Sequence, residues 1–331
     1  MSYDAAVLRR ATARLEGQRR RRERDLEERR AEVELRVPRV AEIDARLRCT
    51  LLEVARATFQ GGDPTDRIRA LRDENLALQA ERERLLAAAG YSPDVLEDKP
   101  ICPKCGDKGW VGAQMCDCLK VLCAQEQIKE LSKLLDLGEQ SFQTFRLDVY
   151  SDEPWPGIGK SPREHMSLMM NICRNYAQKF GKYNFDNLYL YGAPGLGKTF
   201  LSACIARVVS ENGYSVVYDT ACSIFAAFES QKFSKDEEDA RDAREETNRY
   251  LNCDLLILDD LGSEMVTPFV QSTLYTLINT RLTAGRRTVI SSNLSPDDVR
   301  RRYTPQIASR LEGEFQALPF FGQDIRLRST L

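Results

Sequence analysis

Histidine is nearly missing from this chain of 331 residues: His165 is the only one. Ser-His-Asp or Cys-His machinery would have to rest on it. It lies in a mixed helical stretch, 163–180, with no partner pattern, and reads as a surface or packing residue. Lysine is absent from residues 1–89. No run approaches the roughly 18 apolar residues that span a bilayer, and Met1 to Arg10 lack the apolar core of an export signal. No membrane partner and a cytoplasmic location are therefore expected. Charge of one sign is not in excess either. A formal net charge of −2 argues against a generally basic nucleic-acid binder, so any DNA contact must come from a local patch or from several subunits together. Ten cysteines without an export signal point to metal binding or burial rather than disulfides.

What fills residues 1–98 is arginine, glutamate, aspartate and alanine in a helical pattern. Val33, Val40 and Leu47 are spaced by seven, as are Leu71, Leu78 and Leu85; Ile68 and Asn75 share the complementary seam. Gly61-Gly-Asp-Pro64 breaks the pattern, with Asp63 or Thr65 to cap the second helix. The expectation is a coiled-coil hairpin in which Asn75 sets the register and Pro38 interrupts the first helix. Its mixed charges form a solvated face, or the hairpin docks on a partner protein. The basic run Arg19–Arg22 is diluted as a nucleic-acid contact by Glu23, Asp25, Glu27 and Glu28.

Residues 99–123 form a separate unit. Cys102-Pro-Lys-Cys105-Gly is a knuckle that aims two thiolates at one point, and Cys116-Asp-Cys118 follows once Gly109 and Gly112 let the chain reverse. Four thiolates match a closed, structural zinc site, with metal binding supplying the local fold. Cys123 is an alternative ligand, and free thiols or an iron–sulfur cluster are the competing readings. Residues 124–162 read as a linker, partly helical at first and then punctuated by Pro154, Pro156, Gly157, Gly159 and Pro162. From 163 to 331, strand and helix patterns alternate, implying an α/β domain with a parallel sheet covered by helices.

That last region carries the chemistry. Gly192, Ala193, Pro194, Gly195, Leu196, Gly197, Lys198 and Thr199 follow the apolar run Leu188–Tyr191 and fit the phosphate-loop pattern between a strand and a helix. Backbone N–H groups and the helix N-terminus attract phosphate. Lys198 reaches the β- and γ-phosphates, and the Thr199 hydroxyl holds Mg²⁺. About 60 residues on, Leu255-Leu-Ile-Leu-Asp259-Asp260 reads as a buried strand delivering Asp259 to Mg²⁺, with Asp260 orienting or deprotonating the attacking water. Thr288–Asn293 is a second buried strand whose Asn293 is placed for the γ-phosphate or the water. Arg310, in Ile307-Ala-Ser-Arg-Leu311, would serve best across an interface, on a neighbour's nucleotide.

In combination, Gly192–Thr199, Leu255–Glu264, Asn293, Ser309–Leu311 and Gly322–Arg326 resemble the DnaC/DnaI family of AAA+ helicase loaders, with the IstB transposition ATPases as near relatives. The cysteine unit resembles a zinc-binding segment found ahead of the ATPase in some DnaC-like proteins. The resemblance implies that Lys198 and Thr199 are the Walker A pair, Asp259 and Asp260 the Walker B acids, and Asn293 sensor 1. It makes Arg310 an arginine finger acting in trans and Arg326 the sensor 2 arginine, with Arg328 as fallback. It further implies ATP and Mg²⁺ as ligands, slow hydrolysis with ATP acting as an assembly switch, and homo-oligomers formed through the ATPase domain. The implied partners are single-stranded DNA and a DnaB-type helicase; residues 222–251 would be the extra helices of this branch. The alternatives are an IstB-like helper of transposition on duplex DNA, or a coiled-coil adaptor with a purely structural nucleotide.

Overall fold

The computed structural model describes residues 3–59, 65–131, 140–182 and 185–327. Two compact units emerge: residues 13–116, and the remainder of the chain. No helix among the described residues is long and apolar enough to cross a membrane.

In the first of these units, helix α1 (Ala5–Arg36) gives way at Val37 to α2 (Pro38–Phe59), the break falling where proline lacks an N–H. Helix α3 (Thr65–Ala88) runs antiparallel to α2, a register fixed by Arg39–Glu81 at 2.9 Å and Arg46–Glu74 at 2.8 Å. The inner seam buries Val40, Ile43 and Thr50 on α2, and Leu71 and Leu86 on α3. Leu78 and Leu85 are only partly buried. The seven-residue seam thus slips to Leu86, as expected when a helix keeps 3.6 residues per turn instead of winding into a supercoil. The Gly61–Pro64 turn, with its Asp63 cap, lies outside the described residues. A short hairpin of β1 (Trp110–Val111) and β2 (Gln114–Met115) closes the cysteine region.

The second unit begins its main body with α4 (Asp117–Leu131). Phe142 and Tyr150, from the stretch before α5 (Pro162–Gln178), are buried in its core. There follow β3 (Leu188–Gly192), α6 (Lys198–Glu211), β4 (Val216–Thr220), α7 (Ala221–Phe233), α8 (Glu237–Asn252), β5 (Leu255–Leu261), α9 (Pro268–Thr283), β6 (Arg287–Ser292), α10 (Pro296–Arg302), α11 (Pro305–Glu314) and β7 (Gln316–Phe320). Helices α7 and α8 supply the extra pair expected within 222–251. A Ser/Thr–Pro pair opens four of the helices: Ser161, Thr267, Ser295 and Thr304 each accept an N–H bond as the cap, with proline next in line. The cap satisfies an orphan donor, and the fixed proline φ suits the first helical residue.

The five strands are parallel, in the order β4-β5-β6-β3-β7. Leu188–Leu190 and Leu255–Leu258 are buried through their length, the continuous apolar signature of a sheet covered on both faces. Fully buried Arg281 of α9 donates to the carbonyls of Tyr250, Cys253 and Arg287 at 2.6, 3.1 and 2.5 Å. At the β4 edge, Gln127 accepts from Val216 N–H at 3.0 Å and donates to the Tyr214 carbonyl at 3.0 Å. At the β7 edge, His165 Nε2 donates to the Pro319 carbonyl at 2.6 Å, so the single histidine is a packing residue. All strand C-termini gather at one end of the sheet, where open α/β folds bind ligands.

Candidate functional site

The central strand β3 leads into the loop 192–197, and α6 begins at Lys198 with Gly197 as its cap. Gly197 adopts φ +89°, and a Cβ there would stand 2.6 Å from the Tyr150 hydroxyl, so only glycine fits. No side chain caps α6, which leaves its first N–H groups to face an anion. Tyr150 braces the loop from behind by donating to the Leu196 carbonyl at 3.1 Å. Leu196 is buried, while Ala193 and Pro194 are exposed. Lys198 Nζ donates to the Gly192 and Ala193 carbonyls at 2.7 and 2.8 Å. Burial pulls its pKa below the ordinary lysine value, against the opposing charges of Asp259 and Asp260.

Asp259 is 5% exposed and its carboxylate is held from three elements. Thr199 Oγ1 donates to Oδ2 at 3.0 Å and the Tyr218 hydroxyl of β4 donates to the same oxygen at 2.5 Å. Ser291 of β6 donates to Oδ1. The Thr199 hydroxyl and Asp259 carboxylate, side by side beneath a phosphate loop, are the hard oxygen ligands that suit Mg²⁺. Asp260 comes next on β5. It is exposed, with φ +57°, where the β5–β6 register is interrupted; such a bulge re-aims a side chain. Asn293 follows β6 directly, its Oδ1 3.0 Å from where a Cβ on Gly262 would stand. It therefore reaches the turn carrying Asp260.

Ile325 N–H donates to the Gly195 carbonyl at 3.0 Å, bringing the 3-10 turn Ile325–Leu327 against the phosphate loop. Arg326 contributes to the electrostatic field at Lys198; Arg328 lies outside the described residues. Arg310 is not brought to this end of the sheet. It sits on α11 beside a 660 Å³ cavity lined by Asn187, Arg286 and Gln316, at the starts of β3, β6 and β7. One strand length, more than about 13 Å, separates that end from the phosphate loop.

Sequence reasoning missed Tyr218, Ser291 and Tyr150, which arrive from other strands or from a segment read as linker. It also passed over Glu264 at the end of the acidic run. Glu264 is buried and accepts from Gly262 N–H at 2.9 Å and from the Tyr303 hydroxyl, which fastens the loop after β5.

The cysteines make a second candidate centre. The Sγ atoms of Cys102, Cys105, Cys116 and Cys118 all lie within 4.8 Å of one another. Gly109 N–H points at Cys105 Sγ from 3.3 Å, as a thiolate ligand would accept. The single-residue gap between Cys116 and Cys118 arises because α4 starts at Asp117. Buried Asp107 shapes the knuckle: its carboxylate accepts from the N–H groups of Ile101 (3.1 Å) and Cys102 (2.7 Å), and pairs with Arg22. Arg22 thus belongs to a structural ion pair, out of the basic run considered for nucleic acid. Four closely set sulfurs fit zinc as a closed tetrahedral site. Cys123 is not among them; it is fully buried on α4, and burial pushes its thiol up to about 11.

Residues 179–304 match the family model described as IstB-like ATP binding protein. That segment is thus similar to the IstB-like ATP-binding family. The match spans the phosphate loop, both acids and Asn293, and stops short of Arg310 and Arg326. The replicative helicase loader DnaI of Bacillus subtilis is 33% identical over 118 residues, 35% of this chain and 36% of that protein. The chromosomal replication initiator DnaA of Caldanaerobacter subterraneus is 29% identical over 146 residues, 44% of this chain and 30% of that protein. The chain therefore spans about a third of the length of these curated relatives. A solved structure described as the DnaC helicase loader is 17% identical, covering 56% of this chain and 99% of that one, with a TM-score of 0.45.

Proposed function

We propose that this protein is an ATP-dependent loader that places a DnaB-type replicative helicase on single-stranded DNA. The observation that carries the reading is the Thr199–Asp259 pair beneath the phosphate loop, with Arg310 a strand length away. In this reading Lys198 holds the β- and γ-phosphates, and Thr199 and Asp259 hold Mg²⁺. Asp260 and Asn293 address the attacking water, and Arg326 senses the terminal phosphate. Arg310, unable to reach its own nucleotide, completes the site of a neighbouring copy. Hydrolysis of ATP to ADP and phosphate then depends on homo-oligomer assembly and is slow without it. Zinc on Cys102, Cys105, Cys116 and Cys118 holds its region together, which suits a cytoplasm that keeps thiols reduced. The same proposal divides the chain into a hairpin (1–98), a zinc unit (99–123), a linker (124–162) and the ATPase domain (163–331), with the hairpin and zinc unit gripping the helicase.

For the DNA partner, support comes from one surface. Lys232 Nζ lies 5.4 Å from the Phe233 ring centroid and 5.3 Å from that of Phe269. Phe233 is 59% exposed, and Met265, in the loop after β5, is 82% exposed. An exposed ring beside a cation, as at Phe233, is what splayed single-stranded bases stack on. The second reading is an IstB-like helper of transposition on duplex DNA, favoured by the description of the matching family. Duplex DNA keeps its bases stacked within, so these rings favour single strands.

The test is the ATPase rate with and without single-stranded DNA and helicase, in wild type and Arg310→Ala. Stimulation lost in the variant supports the loader. A response to duplex alone favours the transposition helper.

A further inference from the structure

Residues 322–327 form a strap over the phosphate loop. The Ile325 N–H bond to the Gly195 carbonyl is one attachment. At a second, the Asp324 carboxylate fills the space into which any side chain on Gly195 would project. Gly195 also adopts φ +71°, so glycine is required there twice over, once by backbone conformation and once by the strap. A third contact is Gly322, whose Cα faces Leu196 and Pro162. Asp324 then turns back on the strap: its Oδ1 accepts from Arg326 N–H at 2.9 Å. This bond caps the short turn Ile325–Leu327 and fixes where the Arg326 side chain leaves the backbone.

A carboxylate beside a phosphate loop repels every nucleotide, and the placement needs a compensating role. We propose that Asp324 is a positioning residue: resting on Gly195 and holding the Arg326 N–H, it aims the Arg326 guanidinium at the terminal phosphate and so sets the preference for ATP over ADP. The inference rests on residues 192–199 being the nucleotide site. Charge and capping make separable contributions. Asparagine keeps the acceptor oxygen and removes the charge, while alanine removes both.

The experiment measures Kd for a non-hydrolysable ATP analogue and for ADP on the full chain. Asp324→Ala is expected to lower the ATP-over-ADP preference on the order of tenfold, the scale of one charge-assisted hydrogen bond. Asp324→Asn keeps the preference and tightens both nucleotides. Arg326→Ala loses it, and adding Asp324→Ala to Arg326→Ala loses nothing more. Unchanged preference in Asp324→Ala, or the same further loss in the Arg326→Ala background, overturns the inference. Lys198→Ala separates the two levels. If it leaves both affinities intact, the nucleotide-site reading falls and this inference with it. If it abolishes them while Asp324→Ala is silent, only the inference falls. Amide exchange on the wild-type protein is an independent check that needs no variant to fold: the Arg326 amide is expected to be protected, and exchange at the unprotected rate overturns the proposal.

Discussion

Tyr218 and Thr199 place their hydroxyls on the same oxygen of Asp259. One carboxylate therefore ties β4 to the first turn of α6, and the tie is stability as well as chemistry. Tyr218→Phe is expected to cost about 1.5–3 kcal/mol, the range for hydrogen bonds to charged groups, measured as a lower urea midpoint with unchanged slope.

Alkali should weaken the fold in a defined direction. Burial, with the Asp259 charge adding to it, holds the Tyr218 phenol well above its ordinary range; burial also pushes Cys123 to about 11 and Cys204 to about 12. Each group keeps its proton in the folded state at a pH where the unfolded chain has lost it. Their stabilising contribution is complete below the unfolded pKa values, about 8.5 for cysteine and 10 for tyrosine, and is lost as pH rises toward the folded values. Urea melts from pH 8 to 11 should show stability falling, and Tyr218→Phe should flatten the upper part of that fall.

Arg281 has no exposed surface and is spent on backbone carbonyls at the end of α8 and the start of β6. Arg281→Met removes the guanidinium donors from these carbonyls and should cost about 2 kcal/mol, a fall in Tm of roughly 4–8 °C. Lysine cannot reproduce the planar fork, so Arg281→Lys should recover little.

The zinc reading makes its own demand. Asp107 holds the Cys102 N–H and pairs with Arg22, so Asp107→Ala should weaken zinc affinity by about 10–100-fold, the usual effect of losing a group that orients ligands. Zinc release to a chromogenic chelator measures it.

Arg310 predicts complementation. Arg310→Ala keeps a complete phosphate loop, and Lys198→Ala keeps a complete finger. Each alone should hydrolyse ATP on the order of 10³-fold more slowly than the assembled wild type. Mixed together, they should regain part of the rate; mixtures no better than their parts would place the finger's action elsewhere.

Much of the parallel-sheet domain was legible from sequence because its signals are local. The phosphate loop is one contiguous run, Ser/Thr–Pro pairs mark helix starts, and unbroken apolar runs mark the buried strands. Tyr218 and Ser291 could not be read the same way: they meet Asp259 only after β4, β5 and β6 have chosen neighbours. Arg22 and Arg281 were hidden for the opposite reason. An arginine on a helix looks solvated until a distant acid (Arg22) or a row of carbonyls (Arg281) claims it. The heptad on α3 was legible as helix and misleading as register, since a short straight pair drifts from Leu85 to Leu86.

The two side chains at the sheet margins carry a last implication. Gln127 occupies an open hydrogen-bonding position along β4, and at the far margin proline offers no donor while His165 takes its carbonyl. Neither margin offers a continuous ladder to an incoming strand. Copies of this domain are thereby steered away from joining sheet to sheet and from fibre-like growth. In the assembly proposed above, copies would meet through helices and loop ends instead, at the end of the sheet where the phosphate loop lies.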